Sequence, residues 1–131
     1  IRSGTADGLL ALKREGLERH GHFLCSTGWA VVNAGTAADS PSAAGKGGRR
    51  PDFTINADRI AREMGDTRSV NLVLLGFALS CLEARPDFIW CAADVAAALK
   101  HSRSSRPSMQ QSALAALGAG YEHGGGTWAQ L

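Results

Sequence analysis

A chain of 131 residues with 44% apolar and 20% charged side chains can bury a core as a single domain, which excludes a disordered tail or a fibrous repeat. The formal net charge of +2 excludes the strongly basic balance of a nucleic-acid-binding chain, and no nucleic acid is expected as a partner. The longest apolar run, Val70 to Leu82, is broken by Asn71 and Ser80 and falls short of the roughly 18 to 20 residues that span a bilayer, so no membrane partner is expected either.

Ile1 to Gly8 lacks the charged-then-apolar pattern of a secretory leader. Leu9, Leu10 and Leu17 fall at helical spacing beside Lys13, Arg14, Glu15 and Glu18, with Thr5 or Asp7 as N-cap, which predicts an amphipathic helix over residues 6 to 19. Gly16 weakens that helix and Gly21 stops it. Phe23 to Cys25 and Trp29 to Val32 form two short apolar runs split by Ser26, Thr27 and Gly28, and at least the second, ending at Asn33, reads as a buried strand. A helix followed by a fully apolar strand points to α/β layering with a mostly parallel sheet.

From Ala34 to Pro51 the composition turns to Gly, Ala, Ser, Pro and basic residues, a surface loop long enough to be a functional flap or a mobile connection. Ile55 ends a short possible strand. Asn56 caps a helix carrying Ala57, Ile60, Ala61 and Met64 and closed by Gly65. Asp66 or Ser69 caps an apolar helix from Val70 to about Glu83. After Pro86, Asp87 caps a third helix with Ile89, Ala92, Ala93, Ala96 and Leu99 on one side and Lys100 and His101 in its last turn. A fourth starts near Ser108 on a Ser108–Gln111 capping box, presents Leu114 and Leu117, and loosens at Gly118 and Gly120. The tail from Gly124 to Leu131 reads as frayed. The sum is an α/β fold: a partial open sheet of two or three mostly parallel strands with four or five helices.

Cys25, Cys81 and Cys91 are odd in number and lack the C-x-x-C pairs of zinc or iron–sulfur sites, which fits a reducing cytoplasm and a plain core role for Cys81. The four histidines show no metal-ligand spacing on one helix face, and no Ser, Cys or carboxylate stands beside a base in the manner of a hydrolase triad. Lys46, Arg49 and Arg50 gather in the long loop, and His101, Arg103 and Arg106 gather again later. These basic groups read first as solvated loops and second as phosphate contacts.

Ile55 to Ser80, INADRIAREMGDTRSVNLVLLGFALS, resembles the gamma-type domain of the pyruvate and indolepyruvate ferredoxin oxidoreductases, in which a short helix, a glycine turn and Asn-x-x-x-Leu-Gly on an apolar helix follow one another. Here those positions are Gly65, Asn71, Leu75 and Gly76. Two further segments are similar: the stretch from Leu9 to the strand ending in Asn33, and Ala113 to Glu122, although Ala113 and Leu117 stand where the family usually has Asn and Phe. The family's glycine-rich strand-to-helix turn has no counterpart.

The resemblance implies the C-terminal half of a gamma-type domain in an accessory role, most like the indolepyruvate type. The whole enzyme would decarboxylate a 2-oxoacid on thiamine diphosphate, pass electrons through iron–sulfur clusters to ferredoxin, and use coenzyme A. None of those cofactors is expected to be bound by this chain alone, and no catalytic or metal-binding residue is assigned. The implied partners are the enzyme's other subunits or domains, with ferredoxin met indirectly and a homo-oligomer open.

Asn71, as a carboxamide within an apolar helix, and Asn33, at the carboxyl end of a strand, are the candidate ligand contacts, each set against an ordinary tying or turn-forming role. Arg49 and Arg50 are candidates for a phosphate-bearing nucleotide under the rival reading of a non-catalytic binding or regulatory module. Gly76 is expected to permit close packing, and Trp29 and Trp90 to act as core or subunit-interface anchors.

Overall fold

The computed structural model describes residues 2–35, 52–102 and 106–130, which fall into two compact units, Ile1–Ala57 and Asp58–Leu131. The fold is α/β: among the described residues three parallel strands form an open sheet, accompanied by five α-helices.

In the first unit the strands β1 (Ala6–Ala11), β2 (Leu24–Asn33) and β3 (Asp52–Ile55) lie in the order β1-β2-β3, and α1 (Arg14–His20) packs against β1 and β2. Ala30, Val31 and Val32 are fully buried in the central strand, as an apolar run flanked by parallel neighbours requires. Pairing sets Leu9, Leu10 and Ala11 opposite Ala30, Val31 and Val32, and sets Val31 and Asn33 opposite Phe53 and Ile55.

The helix expected over residues 6 to 19 is therefore a strand followed by a shorter helix. Asp7 and Gly8 are poor helix formers, and the partner strand gives Leu9 to Ala11 a ladder that helical spacing alone does not offer. Gly8 also has a use in that strand: the Trp29 indole, directly opposite, lies across the place a side chain would fill. The apolar runs Phe23–Cys25 and Trp29–Val32 belong together for the most part, since β2 runs unbroken from Leu24 and absorbs the intervening polar residues where the register shifts between Ala6 and Gly8. Gly21 is the C-cap of α1 as expected, and it sits at an ordinary right-handed φ of −58°.

The second unit begins within α2 (Ala57–Glu63), whose first residue closes the first unit. Its exit is a Schellman turn: Asp66 N–H donates to the Ala61 carbonyl, Gly65 N–H donates to the Arg62 carbonyl, and Gly65 takes the required left-handed φ of 76°. Asp66 then accepts from Arg68 N–H and from the Ser69 hydroxyl, capping the 3-10 turn that leads into α3 (Val70–Leu82).

Along α3, Val73, Leu74, Gly76, Phe77, Ala78, Leu79 and Leu82 are all buried, so this helix has no wide solvent face. It runs parallel to α5 (Pro107–His123): Gly76 meets Leu117 and Tyr121, Gly120 meets Val73 and Phe77, and Gly124 meets Ser80, so the contacts advance together along both helices. Between them in sequence lies α4 (Ala92–Lys100), whose Val95 and Leu99 pack on a core of Leu79, Ala92, Leu117 and Tyr121.

Three expectations for this unit are overturned. The third helix starts at Ala92, not after Asp87, because the Asp87 carboxylate is held by the Arg85 guanidinium at 2.8 and 3.0 Å and the cap is instead the Cys91 thiol, which accepts from Asp94 N–H. Ile89 consequently lies outside the helix and is 85% exposed. Ser108 is no cap, because Pro107 already occupies the first turn of α5 and Arg106 precedes it. Nor does α5 loosen at Gly118 and Gly120 or leave a frayed tail: Gly118 receives the Trp128 indole, and Trp128 also packs against Tyr121 in a tilted arrangement, 5.9 Å between ring centres.

Candidate functional site

Asn33 is 4% exposed, and its carboxamide is spent on the main chain. Its Nδ2 donates to the Leu12 carbonyl at 3.2 Å, just beyond β1, and its Oδ1 accepts from Ala57 N–H at 3.0 Å, the first residue of α2. A buried amide with both ends engaged is a clip that fixes the carboxyl ends of two strands and the entry to a helix. It does not use left-handed backbone angles to form a turn, for no non-glycine residue among those described has positive φ.

Asn71 lies on the solvent side of the first turn of α3, not within its apolar faces. The burial expected from its apolar neighbours fails because Asn71 follows the capping turn, before the helix becomes enclosed. It opens onto a groove of about 460 Å³ between the starts of α3 and α5, shared with Arg68, Ser108 and Ser112 and bounded by Asp66 and Leu72. Among the described residues, the side chains of Arg68, Asn71, Ser108 and Ser112 have no hydrogen-bond or ion-pair partner. Asp66, by contrast, is engaged with Arg68 N–H and the Ser69 hydroxyl. Sequence spacing could not place Ser108 and Ser112 beside Asn71, since the parallel pairing of two helices far apart in the chain creates the groove.

Arg49 and Arg50 lie outside the described residues. In the first unit, a second recess of about 390 Å³ between β1 and α1 is lined chiefly by Leu9, Leu10 and Leu12, with Lys13 and Arg19 beside them.

Several other polar side chains serve the scaffold. The Tyr121 hydroxyl donates to the Glu83 carboxylate, and that bond, with burial second, pushes the phenol up to about 12. Burial pushes the Cys81 thiol up to about 11, so it is a weak nucleophile at neutral pH. His101 sits on the Ala97 carbonyl at 2.7 Å, closing the end of α4. Among the described residues no three His, Cys, Asp or Glu side chains converge as metal ligands, so the donor set there does not fit an iron–sulfur cluster. No helix of the described residues is long and apolar enough to cross a membrane.

Comparison with known proteins gives these features a context. A model of the Pyruvate ferredoxin/flavodoxin oxidoreductase family matches residues 1–123. A search among curated proteins found no match. Among solved structures, the chain resembles a 2-oxoglutarate:ferredoxin oxidoreductase from Magnetococcus marinus, solved with 2-oxoglutarate, coenzyme A and succinyl-CoA bound, at TM-score 0.67 and 21% identity over 95% of this chain and 21% of that one. It also resembles the gamma subunit of a keto/oxoacid ferredoxin oxidoreductase from Geobacter sulfurreducens PCA, at TM-score 0.65 and 20% identity over 92% of this chain and 65% of that subunit. At these identities the likeness is one of fold.

Proposed function

The chain belongs to the pyruvate ferredoxin/flavodoxin oxidoreductase family, and from that premise we propose that it is a gamma-type accessory domain, the C-terminal part of a longer one, in a 2-oxoacid oxidoreductase. The observation that carries the reading is the family match over residues 1–123, and the likeness of the fold to a gamma subunit supports it. The whole enzyme would oxidatively decarboxylate a 2-oxoacid, most like the indolepyruvate type, and deliver the electrons to ferredoxin in the cytoplasm. Thiamine diphosphate, iron–sulfur clusters and coenzyme A belong to that larger assembly.

What this chain contributes is a rigid surface. The Asn33 clip and the Gly76–Gly120 helix contact hold each unit in one shape, and the loop between α3 and α4 presents Ile89 and Trp90, exposed by 85% and 60%. Trp90 is proposed as an anchor for a neighbouring subunit or domain, since exposed tryptophan is a common centre of binding energy. Ligand contact is proposed for Asn71. The rival of a nucleotide-binding module rests on Arg49 and Arg50.

The test has two arms. Purified chain supplied with indolepyruvate or pyruvate, thiamine diphosphate, coenzyme A and a redox dye is expected to show no turnover, and turnover would overturn the accessory role. Co-expression with the remaining oxidoreductase subunits is expected to give a complex that purifies together and weakens in Trp90→Ser, whereas a chain that stays alone would count against it.

A further inference from the structure

The segment from Glu83 to Cys91, between α3 and α4, turns two large apolar side chains away from the core and is fixed on either side of them. Before them, Arg85 grips Asp87 at 2.8 and 3.0 Å and Phe88 N–H donates to the Arg85 carbonyl at 3.2 Å. Phe88 itself packs on the core of Leu79, Ala92, Leu117 and Tyr121. After them, Cys91 takes an extended backbone and caps α4, whose first residue, Ala92, is fully buried. Ile89 and Trp90 lie between these fixed points, exposed by 85% and 60%. Their backbone is already ordered, so a partner that covers them has little further ordering to impose.

Hydrogen bonding and charge narrow what that partner is. Among the described residues, neither Ile89 nor Trp90 spends its main-chain N–H, and the Trp90 indole N–H has no acceptor, so the cover must accept hydrogen bonds as well as take apolar bulk. From Glu83 to Asp94 the chain carries three carboxylates, those of Glu83, Asp87 and Asp94, against the one guanidinium of Arg85, which is bound to Asp87. Glu83 accepts from the Tyr121 hydroxyl and Asp94 from the Cys91 thiol. Both donors are neutral, so these two charges are left to meet an outside cation. An apolar pair edged with negative charge is disfavoured on anionic lipid headgroups and on nucleic-acid phosphates. Its complement is a protein cleft, apolar in the middle and edged by lysine or arginine.

We propose that Ile89 and Trp90 dock into an apolar cleft edged with lysine or arginine on another subunit or domain of the oxidoreductase, with Glu83 and Asp94 steering the approach. This rests on the accessory-domain reading and names the chemistry of the partner that the reading leaves open.

The test mixes the full chain with the remaining oxidoreductase subunits, purified separately, and records association and dissociation rates at several salt concentrations. Wild type should associate more slowly as salt rises from about 0.05 to 0.5 M, because the steering charges become screened. Glu83→Gln combined with Asp94→Asn keeps acceptors for Tyr121 and Cys91 while removing both charges. It should associate several-fold more slowly at low salt with dissociation little changed. Trp90→Ser should instead dissociate faster and raise Kd by roughly 30-fold or more, the scale of a tryptophan anchor. All three positions are exposed, so melting temperatures close to that of wild type are expected. Association indifferent to salt and to the two carboxylates would overturn the proposal, as would wild-type binding by Trp90→Ser. So would Trp90-dependent binding to phosphatidylserine vesicles, or Trp90-dependent self-association of the chain alone, which would assign the pair to a membrane or to a second copy. A complex that forms without help from these residues removes this inference alone, whereas no complex at all removes the accessory-domain reading with it.

Discussion

Gly76 of α3 lies directly on the main-chain carbonyl of Leu117 in α5, and Gly120 of α5 returns the contact on the carbonyl of Val73, so two glycines set the distance between the helices. A Cβ at either place would overlap backbone, which cannot swing aside as a long side chain could. Gly76→Ala and Gly120→Ala should each destabilise the chain by about 1–3 kcal/mol, because the overpacking cost exceeds the ~1 kcal/mol gained in helix propensity. Urea unfolding should show lower midpoints at unchanged slope. The double variant should lose less than the sum of the single losses, since one separation of the helices relieves both clashes.

The Asn33 clip gives a second expectation. Asn33→Leu fills similar space yet leaves the Leu12 carbonyl and the Ala57 amide without their side-chain partner, a loss of about 2–4 kcal/mol for two buried polar groups. Asn33→Asp keeps an acceptor for Ala57 N–H and loses the donor to Leu12, so it should fall between wild type and Asn33→Leu at pH 7. Amide exchange at Ala57 reports the difference: it should quicken strongly in Asn33→Leu and less in Asn33→Asp.

Legibility in the sequence followed the range of the forces involved. Val70–Leu82 could be read as a buried helix because its apolar residues leave no polar face, and Gly65 as a helix end because the left-handed turn there favours glycine. Trp29–Asn33 was legible as a strand for the same local reason, an unbroken apolar run. Leu9 and Leu10 misled, because two adjacent leucines satisfy helical and strand spacing alike and only pairing with Ala30 and Val31 decides. Ser108 and Gln111 have the spacing of a capping box, but Pro107 starts the helix before it. The Trp128 tail contact and the grouping of Asn71 with Ser112 join distant segments, and no local pattern encodes them.

Tyr121 makes the unit sensitive to alkali. Its phenol is raised to about 12, first by the hydrogen bond to Glu83, against an ordinary value of 10.0. The folded state therefore holds the proton more tightly than the unfolded one, and the bond's full stabilisation is present below pH 10 and is lost as the pH climbs through about 12. Tyr121→Phe should cost on the order of 1–2 kcal/mol at pH 7. Comparing thermal midpoints across that alkaline window should show a steeper decline in wild type than in the variant. Parallel declines would mean that another group governs the alkaline limit.

Cys81 offers a chemical reading of the same unit. Its thiol is raised from 9.0 to about 11 by burial alone, so at pH 8 only about one molecule in a thousand carries the reactive thiolate. Unfolding restores the ordinary value and with it a thiolate fraction about a hundredfold larger. Iodoacetamide at pH 8 should therefore modify Cys81 about a hundredfold faster in urea than in the native chain, read by mass spectrometry of the peptide that contains it. The Gly76→Ala variant ties this to the helix contact: if separating α3 from α5 loosens the burial of Cys81 on the same helix, its native labelling should quicken even where the chain remains folded. Labelling that stays slow in Gly76→Ala would mean that the shell around Cys81 is maintained independently of α5.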